Sequence, residues 1–460
     1  MQIFEKTKQV AILGFGEKEG KATLEYLLKH GVRPTLFDQR VWQDFSLETQ
    51  NYIKEKNVPF VFGPGYLDEL KSFEIAFRNP AVPFLLPQLQ KLVKRGLIVT
   101  SQTKWFFEHC PAKIIGVTGT KGKGTTCALI YEILQANSYK PKTKSYLTGN
   151  IGKIQPFEFL DNLTKNDWVV FELSSFQLQD LDKSPHIAVV LMVTSEHLDY
   201  HKNQNEYLSA KEPITKFQTV DDFAVINMDF ENSIKIGQLG QGRKLYFSLK
   251  TSLELGCFIK DNNIILKNKD SNFQLPISNF QLRGKHNQQN ICAAALAATC
   301  TSSSIEVIDK TINEFKGLEH RLEFVMEKGG IKFYNDSFST TPETAIAAIE
   351  SFAEPLIIIL GGSTKNSNFT ELGRTIRQQK NIKALVLIGQ EAAKIKQAIG
   401  SFAGSILEGS DSMSKIFKQI KSISVLGDTV LFSPACASFD MFKNYQDRGQ
   451  QFKTLVKSLN

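Results

Sequence analysis

The stretch Lys113-Ile-Ile-Gly116-Val-Thr-Gly119-Thr120-Lys-Gly122-Lys123-Gly124-Thr125-Thr126 decides how this chain is read. A short apolar run breaks into glycines, lysines and hydroxyls, and Cys127-Ala-Leu-Ile-Tyr-Glu-Ile-Leu134 then continues with helical character. The pattern predicts a strand, a phosphate loop and a helix. Glycines let consecutive backbone N–H groups curl around an anion, and the helix N-terminus adds partial positive charge. Lys123 can reach the outer phosphates, Thr125 can hold Mg²⁺, and Gly119, Thr120, Gly122, Gly124 and Thr126 complete the cradle. The ligand implied is a nucleoside triphosphate. The general pattern places Ser or Thr directly after the lysine; here Gly124 intervenes, so the metal falls to Thr125.

Outward from that loop, 460 residues exceed one ordinary core. We expect an α/β protein of three domains. Residues 1–110 form a Rossmann-like domain, 111–317 a central domain of the P-loop ATPase type with a parallel sheet, and 318–460 a second Rossmann-like domain. Lys plus Arg number 55 against 47 Asp plus Glu, a net +8 scattered along the chain, with the densest cluster between Lys140 and Lys144. That excess attracts phosphates and carboxylates; no nucleic-acid motif accompanies it. The six cysteines show no CxxC spacing and read as free thiols in a reducing cytoplasm. The absence of a signal-like apolar run and of any stretch of transmembrane length predicts a cytoplasmic protein with no membrane partner.

Taken in order, Val10-Ala-Ile-Leu-Gly14-Phe-Gly16-Glu-Lys-Glu-Gly20, a helical pattern to His30 and a strand ending in Asp38-Gln39-Arg40 make a βαβ opening. On these residues alone a dinucleotide such as NAD is one candidate, although the glycine spacing is one residue longer than the fingerprint. Asp167-Trp-Val-Val-Phe171-Glu172 reads as a buried strand that delivers a carboxylate at its C-terminal edge, where open α/β sheets bind ligands. A second such strand begins at Ala188 and ends near His197. Buried strands over 356–360, 384–388 and 429–432, with helices between, predict another parallel sheet.

Several segments together resemble the Mur ligases: the phosphate loop, Gly149-Asn150-Ile-Gly152, Glu172-Leu-Ser174-Ser-Phe-Gln-Leu178, His286-Asn287-Gln-Gln-Asn290, Gly317-Leu-Glu-His320-Arg321, Asn335-Asp336-Ser, and Ser433-Pro-Ala-Cys-Ala-Ser438. Glycine after the lysine also occurs in the related folylpolyglutamate synthetases. The resemblance covers all three domains in order and carries its own expectations. It implies that the first domain holds UDP rather than NAD, with Gly14, Asp38, Arg40, Asn79, Asn150 and Ser174 on the UDP-linked substrate. Two Mg²⁺ are implied, on Thr125, Glu172, His197 and a carbamylated Lys211, with Lys123, His197 and Lys211 catalytic. Asn290, Arg321 and Asp336 would meet ATP; Thr340, Lys365, Ser438 and Tyr445 would meet glutamate.

The activity so implied is ATP-dependent addition of D-glutamate to UDP-N-acetylmuramoyl-L-alanine in peptidoglycan synthesis, by a monomer. Departures from the family pattern fall at Asn79, Ala81, Met192, Glu196 and Phe338. The last replaces a lysine, so addition of L-glutamate stays open, as does another amino-acid ligase of this or the folylpolyglutamate type. Among other classes, a nicotinamide dehydrogenase would use only the first forty or so residues, and a non-enzymatic nucleotide-binding module would leave Glu172, His197 and Lys211 unemployed.

Overall fold

The computed structural model describes residues 9–137, 143–152, 154–194, 203–268, 272–364 and 366–459. Among them the chain forms three sheets, flanked by helices. These fall into two compact units, one of residues 1–276 with 289–311 and one of 277–288 with 312–460.

In the first unit β1 (Val10–Leu13), β2 (Thr35–Asp38), β3 (Phe60–Phe62), β4 (Ile75–Arg78) and β5 (Ile98–Thr100) make a parallel sheet in the order β3-β2-β1-β4-β5. Strand order reverses between β1 and β4, so the chain leaves these neighbours in opposite directions and a crevice opens at their C-terminal ends. Two loops meet there: the turn Gly14-Phe15-Gly16 and the loop 79–82. At Gly14 (φ +78°) an added Cβ would lie 2.7 Å from Val82 Cγ2 and 3.2 Å from Asn79 Cβ, so the close approach requires glycine.

The same unit holds a nine-stranded sheet. Its strands are β6 (Lys113–Thr118), β7 (Ser145–Gly149), β8 (Trp168–Glu172), β9 (Ile187–Val190), β10 (Phe223–Asn227), β11 (Arg243–Ser248), β12 (Gly256–Lys260), β13 (Asn263–Lys267) and β14 (Asn272–Pro276). The order is β14-β13-β12-β11-β10-β9-β6-β8-β7, parallel from β7 across to β12. Beyond β12 the sheet turns antiparallel, a feature the sequence reading did not anticipate. Asp261 and Asn262 sit at φ +48° and +58°, the left-handed pair that a two-residue type I′ hairpin needs.

One apolar cluster joins these two sheets. The helix Gln102–His109 contributes Trp105, Phe106 and Phe107, which lie among Phe77 of the first sheet and Phe157, Phe159 and Phe171 of the second part. Phe106 meets Phe159 and Phe171 edge-on, with centroids 5.6 and 5.7 Å apart, and Tyr26 stacks on Phe157 at 4.2 Å, geometries favoured by the ring quadrupole. The first sheet is thereby packed firmly against the phosphate-loop sheet.

In the second unit β15 (Glu323–Lys328), β16 (Ile331–Asn335), β17 (Leu356–Gly361), β18 (Ile382–Ile388), β19 (Ser405–Ser410) and β20 (Thr429–Phe432) form the order β15-β16-β20-β17-β18-β19. All neighbours are parallel except β15 with β16. The three strands expected here are β17, β18 and β20. Their residues are buried throughout, apart from half-buried Lys383 of β18.

Candidate active site

The phosphate loop leaves β6, which lies between β9 and β8 in its sheet. Gly119 (φ +157°) and Gly122 (φ +88°) turn the backbone, and the helix Lys123–Ala136 starts at once. Space around both glycines is taken: a Cβ on Gly119 would meet Leu191 Cβ at 2.8 Å, and one on Gly122 would meet Asn290 Oδ1 at 2.3 Å. Lys123 Nζ donates to the carbonyls of Gly119 (2.9 Å) and Thr120 (3.2 Å), so the ammonium lies over the loop. Thr120 N donates to Met192 O at 2.7 Å, and Thr194 N donates to Thr120 Oγ1 at 2.9 Å. The chain that leads on to His197 therefore starts bonded to the loop; His197 itself lies outside the described residues. Thr126 Oγ1 and Asn290 Oδ1 approach to 3.3 Å, and both residues are buried. In this arrangement Asn290 braces the loop from behind.

Glu172 ends β8, beside β6, and is 6 % exposed. On its other side Gly149 of β7 (φ +92°) pairs with it, and a Cβ there would fall 2.3 Å from Glu172 O. Asn150 follows, exposed. Lys211, at 1 % exposure, is among the most deeply buried large side chains. Its Nζ donates to Thr118 Oγ1 at 3.2 Å and lies 4.8 Å from the centroid of the Tyr207 ring. The last residue of β6, the phosphate loop and Lys211 thus meet at one point.

The fit to a nucleotide rests on those two glycines, whose positive φ turns the loop directly into the N-terminus of a long helix. For Mg²⁺ the candidate donors are the hydroxyl of Thr125, in the first turn of the helix Lys123–Ala136, and the carboxylate of Glu172 at the end of β8, hard oxygens of the kind that supplement phosphate ligands. Among the described residues no group of three or more His, Cys, Asp or Glu is gathered. Protein-poor coordination of that kind is normal for Mg²⁺ held between a loop and a triphosphate.

At the crevice of the first sheet, Asp38 Oδ2 accepts from Phe15 N and from Arg40 Nη2, each at 2.8 Å, and Oδ1 from Arg40 N and Nε. Burial alone would raise this carboxyl, but Arg40 and the two backbone donors hold it below its usual range. Arg40 also donates to Phe15 O and stacks on Phe45. Asp38 and Arg40 therefore shape the glycine turn, with the guanidinium at the surface. Asn79 Oδ1 accepts from Ala81 N, and Ser174 caps the short helix Ser175–Leu178.

In the second unit Arg321 lies between two residues in left-handed backbone, His320 (φ +65°) and Leu322 (φ +46°), a cost that marks constrained sites. Its guanidinium stands 3.7 Å over the Phe338 ring, which meets Tyr445 edge-on at 5.0 Å. Asp336 is buried and accepts from Leu322 N (3.0 Å) and Ser433 Oγ (2.7 Å); burial pushes its carboxyl up to about 7 against those bonds and Arg321. Thr340 precedes the helix Pro342–Ile349 at half exposure, Ser438 is buried, and Lys365 lies outside the described residues.

Sequence reading missed Arg448, which is fully buried and donates to the carbonyls of Ser337 (2.8 Å), Cys436 (3.1 Å) and Ala437 (3.2 Å). It sets the path of the loop that carries Ser438, and burial brings its guanidinium down to about 10. Missed as well were Asp180, which pairs with Arg78, and Glu19, buried close to them. A cation ending the apolar strand β4 was a readable signal for Arg78; Asp180 offered none.

Residues 117–298 match the model of the Mur ligase middle domain, and residues 320–436 match that of the Mur ligase glutamate ligase domain. The chain is 38 % identical to the UDP-N-acetylmuramoylalanine–D-glutamate ligase of Acetivibrio thermocellus, over 99 % of this chain and 97 % of the relative. It is 37 % identical to the enzyme of that name from Clostridium kluyveri, over 99 % and 98 %. Its fold is similar to that of the UDP-N-acetylmuramate–alanine ligase of Thermotoga maritima (TM-score 0.61, 17 % identity, 98 % and 99 % covered). The MurF ligase of the same organism in complex with ADP is similar as well (TM-score 0.58, 17 % identity, 98 % and 96 % covered).

Glu19 yields a pH test. Burial pushes its carboxyl from 4.5 up to about 8, tempered by Arg78 and reinforced by Asp180. Between those values the folded chain keeps a proton that the unfolded chain has lost, so stability falls as pH rises through the window and levels off above it. Glu19→Gln should remove that fall: urea midpoints of the variant should decline less than those of the natural chain across the window. Parallel declines would show that Glu19 does not titrate there.

Proposed function

The chain belongs to the Mur ligase family and is an ATP-dependent amide ligase, and from that premise we propose that it joins D-glutamate to UDP-N-acetylmuramoyl-L-alanine in peptidoglycan precursor synthesis. The observation that carries this reading is the likeness, over nearly the whole length of both chains, to ligases named for that reaction.

A carboxylate is a poor electrophile, so it is first phosphorylated by ATP, and the glutamate amine then displaces phosphate from the acyl phosphate. The loop N–H groups and Lys123 orient the triphosphate and offset the repulsion between its terminal phosphate and the acceptor carboxylate. Two Mg²⁺, held by Thr125, Glu172, His197 and a carbamate on Lys211, would supply further charge screening. A carbamate suits Lys211 because an ammonium so deeply buried is costly, whereas an anionic oxygen serves a hard cation. Gly14, Asp38, Arg40, Asn79, Asn150 and Ser174 are assigned to the UDP-linked substrate. Asn290, Arg321 and Asp336 are assigned to ATP, and Thr340, Lys365, Ser438 and Tyr445 to glutamate.

The D-enantiomer is favoured by the packing of Phe338, whose ring is engaged by Arg321, on the segment before β15, and by Tyr445, at the start of the helix Tyr445–Lys457. The reaction is placed in the cytoplasm, carried out by a monomer. In support, the six cysteines are unpaired, as in a reducing compartment, and no helix among the described residues is long and apolar enough to cross a membrane.

Release of ADP and phosphate should require UDP-N-acetylmuramoyl-L-alanine and D-glutamate together, and Lys123→Ala should lower turnover by roughly a hundredfold or more. Normal turnover in that variant, or a clear preference for L-glutamate when each enantiomer is offered alone, would contradict the reading. Lys211→Ala should lose most activity and recover part of it with formate or acetate, which can occupy the vacated ligand position. Full activity without rescue would remove the carbamate from the mechanism.

A further inference from the structure

We propose that Arg78 is a positioning residue that clamps the substrate loop 79–82 of the first sheet to the segment that follows Glu172 in the phosphate-loop sheet. The proposal rests on the assignment of that loop to the UDP-linked substrate.

Arg78 ends β4, and its side chain is 0 % exposed. Nη1 donates to Val82 O at 2.7 Å and reaches Asn79 O at 3.5 Å, so it spans both ends of the loop. Nη2 donates to Asp180 Oδ2 at 2.9 Å and to Phe176 O at 3.3 Å. Phe176 lies in the short helix capped by Ser174, two residues beyond Glu172, and Asp180, itself 2 % exposed, closes the same segment. A single planar cation therefore holds four acceptors, two on either side of a seam between stretches about a hundred residues apart in sequence.

Stability alone does not call for this arrangement. A buried ion pair loses in desolvation much of what it gains in attraction, and apolar side chains of similar volume often replace one without loss. What they cannot replace is the fork: two donor edges fixed in one plane, one aimed at the loop carbonyls and one at a carboxylate. The loop is already compact, with Asn79 N bonded to Leu13 O, Val82 N to Asn79 O and Ala81 N to Asn79 Oδ1. Those bonds tie it to itself and to β1; Arg78 ties it to the segment that follows β8. Through Arg78 the bound sugar nucleotide would be held at a set distance from Glu172.

The test uses the full chain. In the double variant Arg78→Met with Asp180→Leu, the apolar pair should keep the thermal midpoint close to that of the natural protein. The KM for UDP-N-acetylmuramoyl-L-alanine should nevertheless rise about tenfold, with the KM values for ATP and glutamate changed less than about twofold. Arg78→Lys, which keeps the charge but not the fork, should move the same KM in the same direction and guards against a double variant that fails to fold. An unchanged KM in either folded variant, or an equal rise in all three, would overturn the clamp. Arg40→Ala separates the two readings. If it raises this KM while the Arg78 variants do not, the substrate site stands and the clamp falls; if only the Arg78 variants raise it, the clamp stands and Arg40 loses its role.

Discussion

The pairing of β6 with β8 in one register, Val117 opposite Glu172 and Gly116 opposite Phe171, is the constraint on which the rest of the site depends. It brings a carboxylate to the strand end next to the one from which the phosphate loop springs. Because the two strands are parallel neighbours, their C-terminal ends open to the same edge, where the helix Lys123–Ala136 presents its N-terminus. A slip of one residue would turn Glu172 to the opposite face of the sheet. Gly149 belongs to the same constraint, since on the far side of β8 only glycine leaves room for the Glu172 carbonyl.

Three long cationic side chains are buried almost completely, Arg78 and Lys211 in the first unit and Arg448 in the second. Each is expensive to desolvate, and each bonds to a loop or to a strand end. Arg78 faces the loop 79–82, Lys211 the last residue of β6, and Arg448 the carbonyls below Ser438. Arg78 has a close carboxylate partner, Asp180; the contacts of Arg448 are carbonyls and a hydroxyl. A guanidinium solvated by backbone leaves its charge largely uncancelled, which favours an anionic ligand nearby. The aromatic seam of Phe106, Phe159 and Phe171 gives the first two of these cations a rigid setting.

Much of this architecture was legible in the residues because it depends on local patterns. Apolar runs ending in glycine mark β6, β17 and β18, and the phosphate loop announces itself by composition. Less legible were features made by distant partners. Asp180 lies in an ordinary polar turn, and nothing near it in sequence names Arg78 as its partner. The antiparallel ribbon of β12 to β14 was signalled only by Asp261-Asn262, a weaker hairpin mark than Asn-Gly. Asp38 and Asp336 were read as ligand contacts from their motifs; the structure adds that their oxygens are bonded to Arg40 and Phe15, and to Leu322 and Ser433. A motif identifies the residue type, whereas the choice between holding the loop and holding the ligand depends on packing.

In the proposed reaction an acceptor carboxylate is activated at the phosphate-loop edge for attack by an amine. The most direct measurement follows oxygen. With UDP-N-acetylmuramoyl-L-alanine labelled by ¹⁸O in its free carboxylate, formation of an acyl phosphate followed by amide formation must carry one labelled oxygen per turnover into inorganic phosphate. Mass analysis of the released phosphate should show that single label. Phosphate free of ¹⁸O, with the oxygen lost from the carboxylate recovered in water, would contradict the account.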